Sequence, residues 1–399
     1  MIPAGWTAKA VGEICELVNG RGFKPHEWKE SGLPIIRIQN LNGSAEFNYY
    51  DGEYNPKIEV ENGQLLFAWS GSRGTSFGAH IWRGPKAVLN YHTWKIVAAD
   101  GYSPDFLHYL FQHLTRRIES SAHGAAALVH TQKREMEAFP VVIPPYFEQV
   151  GIAEKMAIWD RAIETVEALI ANARAQKQAL MQQLLSGKHR LPGFSEPWAW
   201  ADFADVFGRV KTKNAEGNTN VLTISAQHGL ISQVEYFNKT VASDDVRGYT
   251  LLQRSDFAYN KSYSDGYPMG AIKPLESYDS GIVSSLYICF RLTKRGFDHD
   301  FFRHYFEAGF FNREIAAIAQ EGARNHGLLN VSVVEFFETS LHIPKPDEQA
   351  AIAKVINAAE AEEQAYQAQL TALRQEKAAL MQQLLTGKRR VKLPESEVA

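Results

Sequence analysis

Ala179-Leu180-Met181-Gln182-Gln183-Leu184-Leu185-Ser186-Gly187-Lys188 returns 200 residues later as Ala379-Leu380-Met381-Gln382-Gln383-Leu384-Leu385-Thr386-Gly387-Lys388. Upstream, Ile143-Pro144, Glu148-Gln149 and Ile152-Ala153 return as Ile343-Pro344, Glu348-Gln349 and Ile352-Ala353, again offset by 200. The stretch joining these markers therefore has one length in both copies. Constant length means held geometry, because one inserted residue turns every later side chain of a helix by about 100°. Nearer the start of each half the likeness weakens. Trp6, Val11 and Ile14 match Trp198, Phe203 and Val206 at an offset of 192, and Phe67-Ala68-Trp69 matches Phe257-Ala258-Tyr259 at 190. Drifting offsets mark altered loops. Each half reads as a variable globular domain followed by a rod of fixed length, a pseudo-two-fold internal repeat.

The rods read as helices. Pro144 and Pro344 end the strand-like runs Pro140–Ile143 and Leu341–Ile343, and Gly187 and Gly387, followed by basic residues, are C-terminal stops. Heptad positions a and d fall on Ile152, Met156, Trp159, Ile163, Val166, Ile170, Ala173, Lys177, Leu180 and Leu184, nine of ten apolar. In the second rod they fall on Ile352, Ile356, Ala359, Glu363, Tyr366, Leu370, Leu373, Lys377, Leu380 and Leu384, where Glu363, Tyr366 and Lys377 interrupt an otherwise apolar seam. A sustained 3.5-residue repeat predicts a coiled coil. A helix from Phe147 to Leu185 would be ~58 Å long, too long for the core of one small domain. The economical arrangement packs the rods on each other, antiparallel, with Lys177 and Lys377 setting register; the alternative packs each rod on its own domain.

Composition constrains the rest. The 399 residues suggest two or three domains at roughly 150 residues each. With 45% hydrophobic and 22% charged residues the chain is ordinary globular material, apart from an expected flexible tail from Leu393. No apolar run reaches the roughly 18 residues of a membrane span, and the start lacks the pattern of a secretory signal. Two distant cysteines, Cys15 and Cys289, suit buried thiols of a cytoplasmic protein. Net charge is −3, so any reading of nucleic acid has to rest on local clusters.

The globular halves alternate short β-rich runs with helices. Strands are expected at Leu33–Ile38, Gln64–Trp69, Ala87–Leu89, Trp94–Val97, Val221–Ile224 and Gly281–Leu292. Ser103 and Pro104 open a helix over Asp105–Ser120, Phe301–Ala319 corresponds loosely, and Ser332 with Glu335 reads as a capping box.

Polar turns after these strands are the candidates for nucleic-acid contact. Ser70, Ser72, Arg73 and Thr75 follow Trp69 on a glycine-containing turn, and Asn260, Lys261, Ser262 and Tyr263 hold the matching place in the second half. Arginine suits a guanine edge and asparagine an adenine. Arg21 and Lys24, matched by Lys211 and Lys213, form short cationic loops suited to phosphates. Arg37, Gln39 and Asn40 face Gln227 in the alignment of halves, and Arg324 and Asn325 form one further cluster.

Tests for catalysis are negative. Ile143-Pro144-Pro145-Tyr146 lacks the Asn, Asp or Ser that an amino-methyltransferase needs before Pro-Pro, because that side chain must accept from the target amine. No Gly-x-Gly loop leads from a strand into a helix, Gly187-Lys188 and Gly387-Lys388 lack a phosphate loop's upstream glycine, and His-Glu-x-x-His is absent. The 13 histidines are scattered, with His123, His130 and His326 on polar segments. No catalytic residue and no metal site is expected.

At this point the sequence resembles the DNA-specificity subunit of type I restriction–modification systems. The resemblance spans the chain and rests on Gly5-Trp6…Val11-Gly12-Glu13-Ile14, the Ile-Pro…Glu-Gln…Ile-Ala entries to both helices and their Leu-Met-Gln-Gln-Leu-Leu-Ser/Thr-Gly-Lys exits. It implies an α+β fold: two similar mixed α/β target-recognition domains separated by two long helices in an antiparallel coiled coil. The chain then divides into recognition domains at 1–142 and 191–342, long helices at 143–190 and 343–392, and a tail at 393–399. The resemblance implies a non-catalytic subunit whose two domains each read half of a bipartite site on double-stranded DNA. The helices would set the unread spacer and dock two methyltransferase subunits, and restriction subunits would complete the nuclease. S-adenosylmethionine, ATP and Mg would be bound by those partners, leaving this chain without a cofactor. Half-sites one DNA turn apart lie ~34–36 Å from centre to centre, within the span of a ~58 Å rod. The competing reading is a duplicated coiled-coil adaptor that binds proteins without recognising DNA.

Overall fold

The computed structural model describes residues 2–121, 128–225, 228–237, 245–319 and 329–391. Gln227, Arg324, Asn325, His123, His326 and the tail from 393 lie outside the described residues. The chain forms two compact units, Met1–Glu167 with Gln369–Ala399, and Ala168–Ala368.

The first unit is organised by a four-stranded antiparallel sheet in the order Cys15–Asn19, Thr93–Ala98, Leu65–Ala68, Gly78–Ile81. Trp94 sits opposite Phe67 on neighbouring strands, and their rings stack with centroids 5.8 Å apart. Such cross-strand aromatic pairs hold register as well as burying area. The helix Pro104–Ser121 covers this sheet with Phe106, Leu107, Leu110, Phe111 and Leu114, and the Ser103 hydroxyl caps it by accepting from the Phe106 amide at 3.3 Å. Thr7–Ala10 pairs with Pro140–Ile143, so the start of the domain is tied to the strand that feeds the long helix Tyr146–Leu184.

A second layer has its own core of Phe23, Ile35, Ile36, Ile58, Val60, Leu66, Trp82, Ala87, Val88 and Leu89. Its sheet runs Tyr49–Tyr50, Leu33–Ile36, Ala87–Leu89, Glu59–Val60, with Leu33–Ile36 parallel to Ala87–Leu89. The strand expected over Leu33–Ile38 stops at Ile36, because Arg37 opens a helical turn over Ile38–Leu41.

The second unit repeats the plan. Its main sheet runs Phe207–Arg209, Ile288–Leu292, Phe257–Asn260, Ala271–Pro274, and Ala199–Asp202 pairs with Ser340–Ile343. Phe257 and Phe290 occupy the places of Phe67 and Trp94, with stacked rings 5.4 Å apart. Three sequence expectations are corrected here. The run Gly281–Leu292 is two strands, Ser280–Val283 and Ile288–Leu292, parted by a turn. The helix expected over Phe301–Ala319 is two, His299–Glu307 and Asn312–Ile318, broken where Gly309 takes a φ of +75°. The Ser332 hydroxyl makes no capping bond to the helix Val333–Phe337, so no capping box forms there.

Each unit also contains a pair of antiparallel helix segments. In the first, Lys377 pairs with Asp160, and Arg374 with Glu167 at 2.6 Å. In the second, Lys177 and Arg174 pair with Glu363 at 2.6 and 3.0 Å. Rising numbers on one helix meet falling numbers on the other, which fixes the antiparallel sense. Of the seam positions, Ile152, Met156, Val166, Ile170, Ala173, Leu184, Ile352, Ile356, Leu370, Lys377 and Leu384 are buried. Trp159, Ile163, Lys177, Leu180, Ala359, Glu363, Tyr366, Leu373 and Leu380 are half-buried, and none is exposed.

The two packing schemes open at the sequence level coexist. The first unit's core takes Ile152, Ala153 and Met156 from the helix that follows it in sequence, and Met381, Leu384 and Leu385 from the other helix. The second unit's core takes Ile352, Ala353 and Ile356 together with Met181, Leu184 and Leu185. The repeated Leu-Met-Gln-Gln-Leu-Leu is therefore core, and the Glu-Gln pair is its fastening. Gln149 accepts from the Ser103 amide (2.9 Å) and donates to the Pro144 carbonyl (3.0 Å); Gln349 does the same with Asp298 (3.1 Å) and Pro344 (2.9 Å).

Cys15 and Cys289 are buried and unpaired, and burial pushes both thiols up to about 12. Both stay protonated at pH 8 and thus unreactive. Iodoacetamide is expected to add to neither in the folded chain and to both in urea, counted by intact mass. A native adduct at pH 8 would contradict the burial.

Candidate nucleic-acid interface

In the first unit the predicted segments lie on turns that leave the two sheets. Arg21 follows Cys15–Asn19, but its guanidinium is consumed locally. It pairs with Glu27, donates to the Tyr50 hydroxyl at 3.0 Å and lies over the rings of Phe23 and Tyr50. Lys24 is exposed. Asn40 is buried and builds its own turn: its carbonyl accepts from the Arg37 amide, and its NH2 donates to the carbonyls of Ser44 and Glu46. Gln39 on the same turn is exposed.

The structure adds a segment that the sequence did not single out, the Asn90–His92 turn between Ala87–Leu89 and Thr93–Ala98. Tyr91 is 47% exposed, and its ring lies 3.8 Å from that of His92. The turn is held rigidly, since Trp69 donates its indole N–H to the Tyr91 carbonyl (2.8 Å) and the Asn90 amide bonds to Ile36 (3.1 Å). Gly20 makes this close approach possible; a Cβ there would lie 2.0 Å from the Asn90 carbonyl oxygen. Between the two turns is a cleft of about 360 Å3 lined by Phe23, Trp28, Arg37, Gln39, Tyr91 and His92, among others. Burial, and then the charge of Arg37, lower the pKa of His92, favouring a neutral ring.

The turn after Trp69 is built differently. Ser70–Ser72 pairs with Leu128–His130, the Ser76 hydroxyl accepts from the Ser72 amide (2.7 Å), and Glu119 accepts from the Gly74 amide (2.7 Å). Ser72, Arg73 and Thr75 are exposed on this braced turn, with Ser70 half-buried.

In the second unit Lys213 donates to the Gly248 carbonyl at 2.8 Å, and Lys211 is exposed. Asn260 accepts from the Ser262 amide (3.1 Å). Lys261 turns inward to the Val331 carbonyl (2.9 Å), and burial lowers its pKa. Ser262 is half-buried, while Tyr263 is 63% exposed.

Residues 3–173 match the family described as the type I restriction modification DNA specificity domain. The type I restriction enzyme MjaVIII specificity subunit of Methanocaldococcus jannaschii is 23% identical over 192 residues, 46% of this chain and 43% of that protein, so the match spans less than half of the relative's length. Among solved structures, the type I restriction–modification S subunit from M. genitalium aligns over 96% of both chains with a TM-score of 0.54 and 13% identity. A chain from a study of complex assembly and conformational transition of the type I restriction–modification system aligns over 98% of this chain and 100% of its own, with a TM-score of 0.60 and 15% identity. At such identities the likeness is one of fold, and it extends over both halves.

The first unit brings the predicted loops around Arg37 together with the unpredicted Asn90–His92 turn. The missed turn carries neither glycine nor charge; its signal is two consecutive rings, Tyr91 and His92, one residue beyond the apolar run Ala87–Leu89. The second unit also has a cavity, of about 610 Å3, whose lining includes Lys177, Lys273, Arg303 and Glu360. Its cations are neutralised by Glu363, Glu307 and Glu360, which disfavours an anionic ligand there. Among the described residues no group of His, Cys, Asp or Glu could hold a metal ion, and no helix is long and apolar enough to cross a membrane.

Proposed function

We propose that this chain is the DNA-specificity subunit of a type I restriction–modification system, each of its globular domains reading one half of a bipartite site on double-stranded DNA. The observation that carries the reading is a duplicated topology with dissimilar loops. Both units order their four main strands alike, and after matching strands the first offers exposed Lys24 and Arg73 where the second offers exposed Lys211 and Tyr263. A shared frame with different reading groups suits two unlike half-sites.

The chain itself would do no chemistry. Methylation would be the work of two methyltransferase subunits docked on the long helices, and cleavage that of restriction subunits. S-adenosylmethionine, ATP and Mg would be held by those partners, and the assembly would act in the cytoplasm. The paired helices would fix the length of the unread spacer.

Exchange of residues 1–142 for the corresponding domain of a relative tests the reading. Selection from a random duplex library is expected to return a site with one half changed and the other retained. An unchanged site, or assembly with partner proteins and no sequence preference, would favour the adaptor instead.

A further inference from the structure

The cleft between the Arg37–Leu41 turn and the Asn90–His92 turn holds an arginine unlike the others nearby. Arg21 is neutralised by Glu27. Among the described residues Arg37 has no carboxylate partner: its Nη1 donates to the side-chain carbonyl of Asn48 at 2.9 Å, and its guanidinium lies 5.2 Å from the centroid of the Trp28 ring. Nε and Nη2 make no hydrogen bond to a described residue. Arg37 is half-buried, has no counter-ion among the described residues, and keeps its Nε/Nη2 edge open to solvent and so to a ligand. A ligand that displaces water from that edge has to supply acceptors in its place, which selects for a group with two of them.

The fixing of Arg37 has the character of preorganisation. Asn48 holds one nitrogen, the indole holds the plane, and the Arg37 amide is tied to Asn40 at 3.0 Å. A planar fork held by one nitrogen presents its remaining N–H groups in a fixed direction, which suits two acceptors side by side better than a diffuse charge. The surroundings favour a base over a phosphate. The lining is aromatic and neutral, with Phe23, Trp28, Tyr91, His92 and the carboxamide of Gln39, and no second cation joins Arg37 in it. Phosphate subsites gather cations and backbone amides, whereas major-groove readout takes single planar groups aimed at base edges.

We propose that Arg37 is a specificity-determining residue that reads the O6/N7 edge of a guanine in the half-site of the amino-terminal domain, with Asn48 as its positioning residue and Gln39 reading the adjacent base pair. The inference rests on the DNA-specificity reading above and adds to it which residues read. It also narrows the sequence candidates: Arg21 and Asn40 shape the cleft, and Gln39 and Arg37 face the ligand.

The test is selection of duplexes from a random library by the full chain, comparing wild type with Arg37→Lys, Arg37→Ala, Asn48→Ala and Gln39→Ala, each checked for unchanged melting. Arg37→Lys keeps the charge and loses the fork. It is expected to relax the preference at one G·C pair by about 5- to 150-fold, with affinity for random duplex and its salt dependence nearly unchanged. Asn48→Ala should relax the same position by a smaller factor. Gln39→Ala, an exposed change, should relax the neighbouring position, and it serves even if substitutions at Arg37 unfold the domain. Retention of the guanine preference by Arg37→Lys, or an unaltered site with Gln39→Ala, overturns the inference. So does a uniform loss across sequences with a salt slope reduced by about one for Arg37→Ala, which would assign a phosphate contact. If the wild-type chain itself selects no sequence, the specificity reading fails with it, a result separable from the others.

Discussion

A chain cut after Ala368 is expected to lose the fold of its first unit and keep that of its second. The cut looks conservative, because it removes neither globular domain. Yet Gln369–Ala399 belongs to the first unit, and the second, Ala168–Ala368, is left whole. The lost segment supplies Met381, Leu384 and Leu385 to the core around Phe67 and Trp94. Three fully buried side chains at about 1.5–3 kcal/mol each come to roughly 5–9 kcal/mol. The cut also takes Arg390 from the buried Glu148, and Lys377 from Asp160. Set against a typical domain stability of about 5–15 kcal/mol, this leaves little or nothing. Hydrogen exchange read by mass spectrometry should show Leu65–Ala68 and Thr93–Ala98 unprotected, while Phe257–Asn260 and Ile288–Leu292 exchange as in the whole chain. Equal protection in both units would show that the carboxy-terminal segment is dispensable to the first.

The 200-residue offset is kept because each rod has both ends fixed, one under each core, so an insertion would misplace buried leucines. The heptad seam was legible for the same reason that any amphipathic helix is: its periodicity is local. The glycine stops were legible too, since Gly187 and Gly387 take φ of +69° and +68°. A Cβ on Gly387 would also lie 2.2 Å from Pro3, a contact across nearly the whole sequence that no local pattern discloses. The work of the Glu-Gln pair was illegible likewise, because Glu148 finds its arginine 242 residues away. Strand order is equally non-local. Among the candidate readers, residue type alone could not separate Arg37 from Arg21; only the Glu27 carboxylate beside one and its absence beside the other does so.

The two buried glutamates lead to the other large effect. Glu348 has a side chain only 3% exposed and accepts from Nε and Nη2 of Arg190, both at 2.6 Å. Glu148 stands in the same relation to Arg390 at 2.6 and 2.7 Å, but it also accepts from the Trp6 indole at 3.0 Å. The second unit lacks that support: Trp198 takes the place of Trp6, and its indole N–H is buried without a partner among the described residues. Arg190→Ala would therefore strand a buried carboxylate with no side-chain donor, whereas Arg390→Ala leaves Glu148 one. Breaking a buried pair costs about 3–5 kcal/mol, and Arg190 falls at roughly 3 kcal/mol because its outer side remains in solvent. For a unit of about 200 residues that is a fall in Tm of roughly 6–12 °C, with a smaller fall for Arg390→Ala. Calorimetry of the full chain should show the deficit in the transition of the second unit. Arg190→Met combined with Glu348→Leu should regain most of it, since apolar groups of similar size cost little where a lone charge costs much. If Arg190→Ala melts within a degree or two of wild type, the carboxylate has found water, and the fastening of the second unit lies in Gln349 and the leucines alone.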